Sequence, residues 1–130
     1  MALKLIQLLE DLHWQVDMVI PVPLGEARMA ERGYNQAALL ALPVAMGLGL
    51  AYRPHALKRA RETASQVGLT YSERQLNVQG AFKAGETVRS ASVLIIDDVA
   101  TSGATLEACA AALKAAGAKR AYCLTLARAL

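Results

Sequence analysis

The chain has 130 residues, 55% of them hydrophobic and only 19% charged, with a formal net charge of +3 and a mean hydropathy of +0.28. A chain of this length and apolar content buries well over half of its surface as one domain, which excludes extended disorder. The positive charge suits an anionic ligand, but the basic residues are scattered and form no tract, so direct nucleic-acid binding gains no support.

The N-terminal stretch MALKLIQLLEDLHW places Leu5, Ile6, Leu9 and Leu12 at helical spacing, predicting an amphipathic helix. It carries Glu10 and Asp11 and no cleavage-like site, so it is not read as a signal peptide. Met18 to Val22 is a short apolar run containing Pro21 and followed by Pro23, the pattern of a buried strand. Gly25 to Gly33 reads as a polar, Arg-bearing loop. Asn35 to about Met46 is helical in pattern, with Pro43 expected to kink or end the helix. The uncharged run from Gly33 to Tyr52 is nominally long enough to span a bilayer. Asn35, Gln36, Pro43, Gly47 and Gly49 interrupt it, so it reads as a buried helix, a turn and the start of a strand, with no membrane span.

A second strand is expected over Leu50 to Leu57, followed by KRARETASQ, Lys58 to Gln66, as a long mobile loop. Ser72 to Val78 reads as a short helix, and Ala81 and Phe82 as an edge strand. The last third gives strand Val93 to Ile96, a loop, a helix from about Ser102 to Ala116 stopped by Gly117, and strand Ala121 to Leu126. Two strands joined by one such helix form a crossover unit with parallel strands. The alternation therefore predicts an α/β fold: an open, mainly parallel sheet with helices on both faces, in a single domain over 1–130. Cys109 and Cys123 make no metal-ligand or disulfide pattern and read as small buried hydrophobes in a reduced cytoplasm.

The stretch with most chemical content is VLIIDDVATSGAT, Val93 to Thr105. Ligands of open α/β sheets bind beyond the carboxyl ends of the strands, where Asp97 and Asp98 fall. The small-residue loop after them feeds a helix N-terminus, which holds a phosphate without Lys or Arg. Neither a P-loop nor a dinucleotide fingerprint is present. Ordinary turn and cap chemistry also uses Asp, Ser and Thr at such positions. A cap, however, needs one acid at most, and two ionised neighbours repel unless something polar or cationic lies between them.

This stretch resembles the phosphoribosyl pyrophosphate (PRPP) signature of the type I phosphoribosyltransferases. VIPVPLGEARMAERGYNQ, Val19 to Gln36, and RETASQVGLTYSERQLNVQGAF, Arg61 to Phe82, are in turn similar to blocks of that family's ComF/GntX branch, the competence-protein-F-like proteins. The resemblance implies a Rossmann-like fold in which Asp97 and Asp98 contact the ribose hydroxyls and Ala100, Thr101, Ser102, Gly103, Ala104 and Thr105 wrap the 5′-phosphate. It places a pyrophosphate loop at Val22 to Gly25, including Pro23 and Leu24. Arg28 and Arg32 follow it as candidate donors to the leaving group, equally readable as solvated loop charges. Arg61, Thr63, Ser65 and Gln66 would belong to the mobile loop over pyrophosphate, braced by Arg74 and Asn77. Mg²⁺ is the implied cofactor, held mainly through the substrate with no dedicated protein cage.

Three features depart from the branch, the first being Pro43 inside what is usually an uninterrupted helix. The branch's zinc-ribbon-like N-terminal segment has no counterpart in the sequence, and the hood that selects an acceptor is expected to be reduced or absent. The implied function is transfer of phosphoribose to an unknown acceptor with release of pyrophosphate. The alternative is a non-catalytic PRPP- or nucleotide-binding module in DNA uptake or repair, with a protein partner there. Trp14 and Tyr34 read as core or rim residues, and His55 as a structural histidine.

Overall fold

The computed structural model describes residues 2–60, 68–100 and 103–128. Its main sheet is built from β1 (Met18–Pro21), β2 (Ala51–Tyr52), β5 (Ser92–Ala100) and β6 (Arg120–Arg128), in the order β2-β1-β5-β6 with every pairing parallel. The central strands β1 and β5 are apolar on both faces, as parallel strands covered on both sides must be. In β5, Val93 and Ile95 enter one core while Leu94 and Ile96 enter the other. In β1, Met18 and Ile20 join the first and Val19 the second. Asp17 fixes the start of this central pair, since its carboxylate accepts from Ser92 N at 2.7 Å.

Helices α1 (Ala2–Leu12) and α3 (Gln36–Leu48) cover one face. Leu5 and Leu9 of α1 meet Ala41, Val44 and Ala45 of α3 over Val19, Leu94 and Ile96. Trp14 completes this side, stacked on Tyr122 of β6 with ring centroids 4.5 Å apart. The other face carries α5 (Ala104–Ala115), through Leu106, Cys109 and Leu113, together with a two-stranded antiparallel sheet of β3 (Leu57–Arg59) and β4 (Phe82–Ala84). Helix α4 (Tyr71–Val78) packs against α5. It starts in a reciprocal capping box, in which Glu73 N donates to the Thr70 hydroxyl and Thr70 N to the Glu73 carboxylate.

Several expectations are corrected. Gly25 to Gly33 is not a loop: it holds helix α2 (Glu26–Arg32), closed by Gly33 in the left-handed region at φ 78°. The helix expected to kink or end at Pro43 continues to Leu48, because Ala41, Val44 and Ala45 fasten it to the sheet on both sides of the missing donor. Leu50 to Leu57 is not one strand. Ala51–Tyr52 pairs with β1, whereas Leu57 begins a strand of the second sheet. Cys109 is buried as expected, but Cys123 is exposed. Finally, β5 does not stop at Ile96; pairing with β6 carries it to Ala100.

Candidate functional site

The order β2-β1-β5-β6 contains one reversal. From β1 the chain crosses to β2 on one side, and from β5 to β6 on the other. The crevice outside the carboxyl ends of β1 and β5 is therefore the topological switch point, the default ligand position in a sheet of this kind. Register gives it shape. Pairing of β1 with β5 ends at Pro21 opposite Ile96, extended by Val22 N donating to Ile96 O at 2.9 Å. Beyond that level β5 and β6 continue together, with Asp97 opposite Thr125 and Ala100 opposite Arg128. Asp97 and Asp98 thus lie on the stretch of β5 that β1 has left.

Strand alternation directs Asp97, and the Asp98 carboxyl stays close enough to interact with it. Asp97 follows Val93 and Ile95 toward the face of α5, where the charge of Arg59 is felt and Cys109 is buried. Asp98 is half-buried beside Asp97. Burial pushes the Asp97 carboxyl up to about 7. The adjacent Asp98 carboxyl adds to this, while the bond accepted from Asp98 N at 2.9 Å and the Arg59 charge act against it. The Cys109 thiol is pushed well up by burial, so it is an inert core group.

The turn after β1 forms the opposite wall. Asn35 donates from Nδ2 to Val22 O at 3.0 Å, and the same side chain caps α3 by accepting from Ala37 N at 3.0 Å. Arg59, in β3, donates from Nη2 to Pro23 O at 3.3 Å, while its guanidinium lies 4.7 Å from the centre of the Phe82 ring directly across the ladder. Two successive carbonyls of the turn are thus held by side chains from distant parts of the chain. Sequence reasoning missed both holders. Asn35 carried an N-cap signal, being a polar residue just before an apolar helical run. The alternation Leu57 in, Lys58 out, Arg59 in marked a strand that the density of charge concealed.

On the far wall, α5 begins at Ala104 with Gly103 as its N-cap, in the left-handed region at φ 82° and with no side-chain cap. Ala104 and Thr105 form its first turn. Ala100 belongs to β5 and not to the loop, because its pairing with Arg128 holds it in the ladder. Thr101 and Ser102 lie outside the described residues, as do Arg61, Thr63, Ser65 and Gln66. Pro23 and Leu24 stand in the turn. Arg28 is on α2, and Arg32 is exposed in the last turn of that helix. Arg74 is half-buried on α4, and among the described residues its Nε has no hydrogen-bond partner. A cavity of about 310 Å³ lined by Leu9, His13, Trp14 and Leu48 opens at the opposite, amino end of the strands and takes no part in this site.

The model of the phosphoribosyl transferase domain matches residues 3–130. The chain belongs to that family. Within it, the relatives place the chain in the ComF-like branch of the type I phosphoribosyltransferases. It is 34% identical over 132 residues to the DNA utilization protein YhgH of Escherichia coli, covering 95% of this chain and 58% of the relative. It is also 34% identical over 116 residues to Competence protein F of Haemophilus influenzae, covering 87% of this chain and 51% of the relative. The chain thus spans about half the length of the curated relatives it matches. Among solved structures, the glutamine PRPP amidotransferase of B. subtilis, complexed with ADP and GMP, superposes with a TM-score of 0.63 at 20% identity, over 93% of this chain and 24% of that one. The adenine phosphoribosyltransferase of Saccharomyces cerevisiae gives 0.56 at 17% identity, over 98% and 64%. These likenesses establish the type I phosphoribosyltransferase fold. Among the described residues no helix is long and apolar enough to cross a membrane.

Proposed function

We propose that this phosphoribosyltransferase domain binds PRPP and transfers its phosphoribosyl group to an acceptor, releasing pyrophosphate. The observation that carries the reading is the placement of Asp97 and Asp98 on β5 beyond the point where β1 departs, immediately before the turn into α5. Carboxylates there accept hydrogen bonds from sugar hydroxyls and lie near a ring that becomes positive as the bond to pyrophosphate breaks. The residues Thr101 to Thr105 and the start of α5 receive the 5′-phosphate, and the turn Pro23–Leu24 receives the pyrophosphate. Arg28 and Arg32, and Arg61, Thr63, Ser65 and Gln66, are proposed on motif to attend the leaving group. Holding both ends of one ligand supplies the positioning that this chemistry mainly requires.

Among the described residues no three His, Cys, Asp or Glu side chains cluster as a metal cage. Mg²⁺ is proposed to arrive on the ligand's own oxygens, where it would offset the charge of departing pyrophosphate.

A second reading keeps the ligand and drops the turnover: a PRPP- or nucleotide-responsive module in DNA uptake or repair, working with a protein partner. The names DNA utilization protein and Competence protein F among the relatives favour it. Thermal unfolding with PRPP and Mg²⁺ tests what both readings share. Binding raises the melting temperature, and Asp97→Asn with Asp98→Asn removes the rise; no rise in the parent sinks both. Pyrophosphate release across a panel of nucleobases and small amines then favours the enzyme, whereas binding without release favours the module.

A further inference from the structure

Arg59 lies outside every residue assigned above to the ligand, yet it ties three parts of the site together. It sits in β3, pairs across the ladder with Phe82 of β4, and holds its guanidinium over that ring at 4.7 Å. From there Nη2 reaches Pro23 O at 3.3 Å, 36 residues away in sequence. A guanidinium stacked on an aromatic face is a rigid donor, because its plane is fixed before it bonds.

The geometry of a single peptide unit gives this contact its meaning. No peptide among the described residues is cis, so the carbonyl of Pro23 and the amide of Leu24 point in opposite directions across one planar unit. Holding Pro23 O toward Arg59 therefore turns Leu24 N–H away from it. The preceding carbonyl, Val22 O, is held by Asn35, but its peptide partner is the nitrogen of Pro23, which has no hydrogen to offer. Leu24 N–H is thus the first donor the turn can present after β1, and Arg59 fixes its direction.

We propose that Arg59 is a positioning residue for the pyrophosphate end of the ligand, acting by orienting the Leu24 amide in the turn after β1. This rests on the PRPP reading above and deepens it. Sequence position alone does not reveal the role, since Arg59 belongs to a small antiparallel sheet and its bond to Pro23 O spans 36 residues.

Titration calorimetry on the full chain, with PRPP and Mg²⁺ and separately with ribose 5-phosphate, tests it. Arg59→Ala weakens PRPP about tenfold and changes ribose 5-phosphate by less than about twofold, since only the first carries a pyrophosphate. Arg59→Lys keeps a donor but loses the planar stack, and recovers part of the loss. Phe82→Leu, which removes the ring and leaves the arginine, gives the same selectivity with a smaller effect and serves where Arg59→Ala does not fold. Equal losses for both ligands mean a loosened fold and overturn the proposal, as does PRPP affinity unchanged in Arg59→Ala. A parent that binds neither ligand overturns the PRPP reading itself.

Discussion

Gln75 of α4 donates its side-chain amide to Glu107 of α5 at 2.8 Å, and the same amide group reaches the Tyr71 hydroxyl at 2.7 Å. Glu107 is in the first turn of α5, where a negative charge is favoured by the helix dipole. The bond therefore ties the helix that begins at Tyr71 to the helix that begins just after Gly103. Both partners are exposed at this contact, so its contribution is modest. Glu107→Ala lowers stability by about 1 kcal/mol, read by urea denaturation, combining the lost bond with the lost dipole interaction. Glu107→Gln keeps an acceptor and loses only the charge, so it falls between Glu107→Ala and the parent. A double-mutant cycle with Gln75→Ala isolates the bond itself at about 0.5 kcal/mol.

Asp97 makes stability depend on pH in a direction opposite to that of most carboxylates. Its folded value is raised from 3.8 to about 7, chiefly by burial. Between those values the native state retains a proton that the unfolded chain has lost. The contribution is fully present below about pH 4 and is lost as pH rises through 7. Asp97→Asn, whose side-chain oxygen still accepts from Asp98 N, escapes that loss. Its melting temperature matches the parent's at pH 4 and exceeds it by a few degrees at pH 8, measured by calorimetry; equal melting temperatures at both pH values would contradict the assignment.

Gly103 adopts φ 82°, and a Cβ built there meets nothing within 4 Å among the described residues. The cost of Gly103→Ala is therefore conformational and not steric, about 1 kcal/mol for an L-residue in the left-handed region. Chemical denaturation reads that cost. Ligand affinity reads more, because any relaxation of φ at Gly103 redirects the first amides of α5. Affinity for ribose 5-phosphate therefore falls further than stability alone accounts for.

The last third of the chain was legible in detail. The run Val93–Ile96, the two acids and Gly117 placed β5 and α5 within a few residues, because a buried parallel strand and a capped helix both leave strong local signals. The length of β5 was not legible. It is extended to Ala100 by pairing with β6, which apolar content does not report. The acids read as an equivalent pair, and the sequence did not show that burial and the Arg59 charge would act on Asp97. Lys58 and Arg59 read as loop because charge usually marks solvent, yet Arg59 points inward and is paired with Phe82. Helix α2 was hidden by Arg28, Glu31 and Arg32, since a short helix on the surface needs no apolar stripe.

The register of β1 has a consequence for how the chain folds as it is made. Its two neighbours are β2, which offers only Ala51 and Tyr52, and β5, which offers Val93 to Ile96 from some 75 residues away. While the first half emerges from the ribosome, the most apolar strand of that half has two residues to pair with and one side bare. The sheet closes only when β5 follows, and the turn after β1 takes its final shape only once Arg59 has docked. Folding is therefore dominated by late, long-range pairing, the regime in which rates are slow and an unpaired edge is most exposed to other chains.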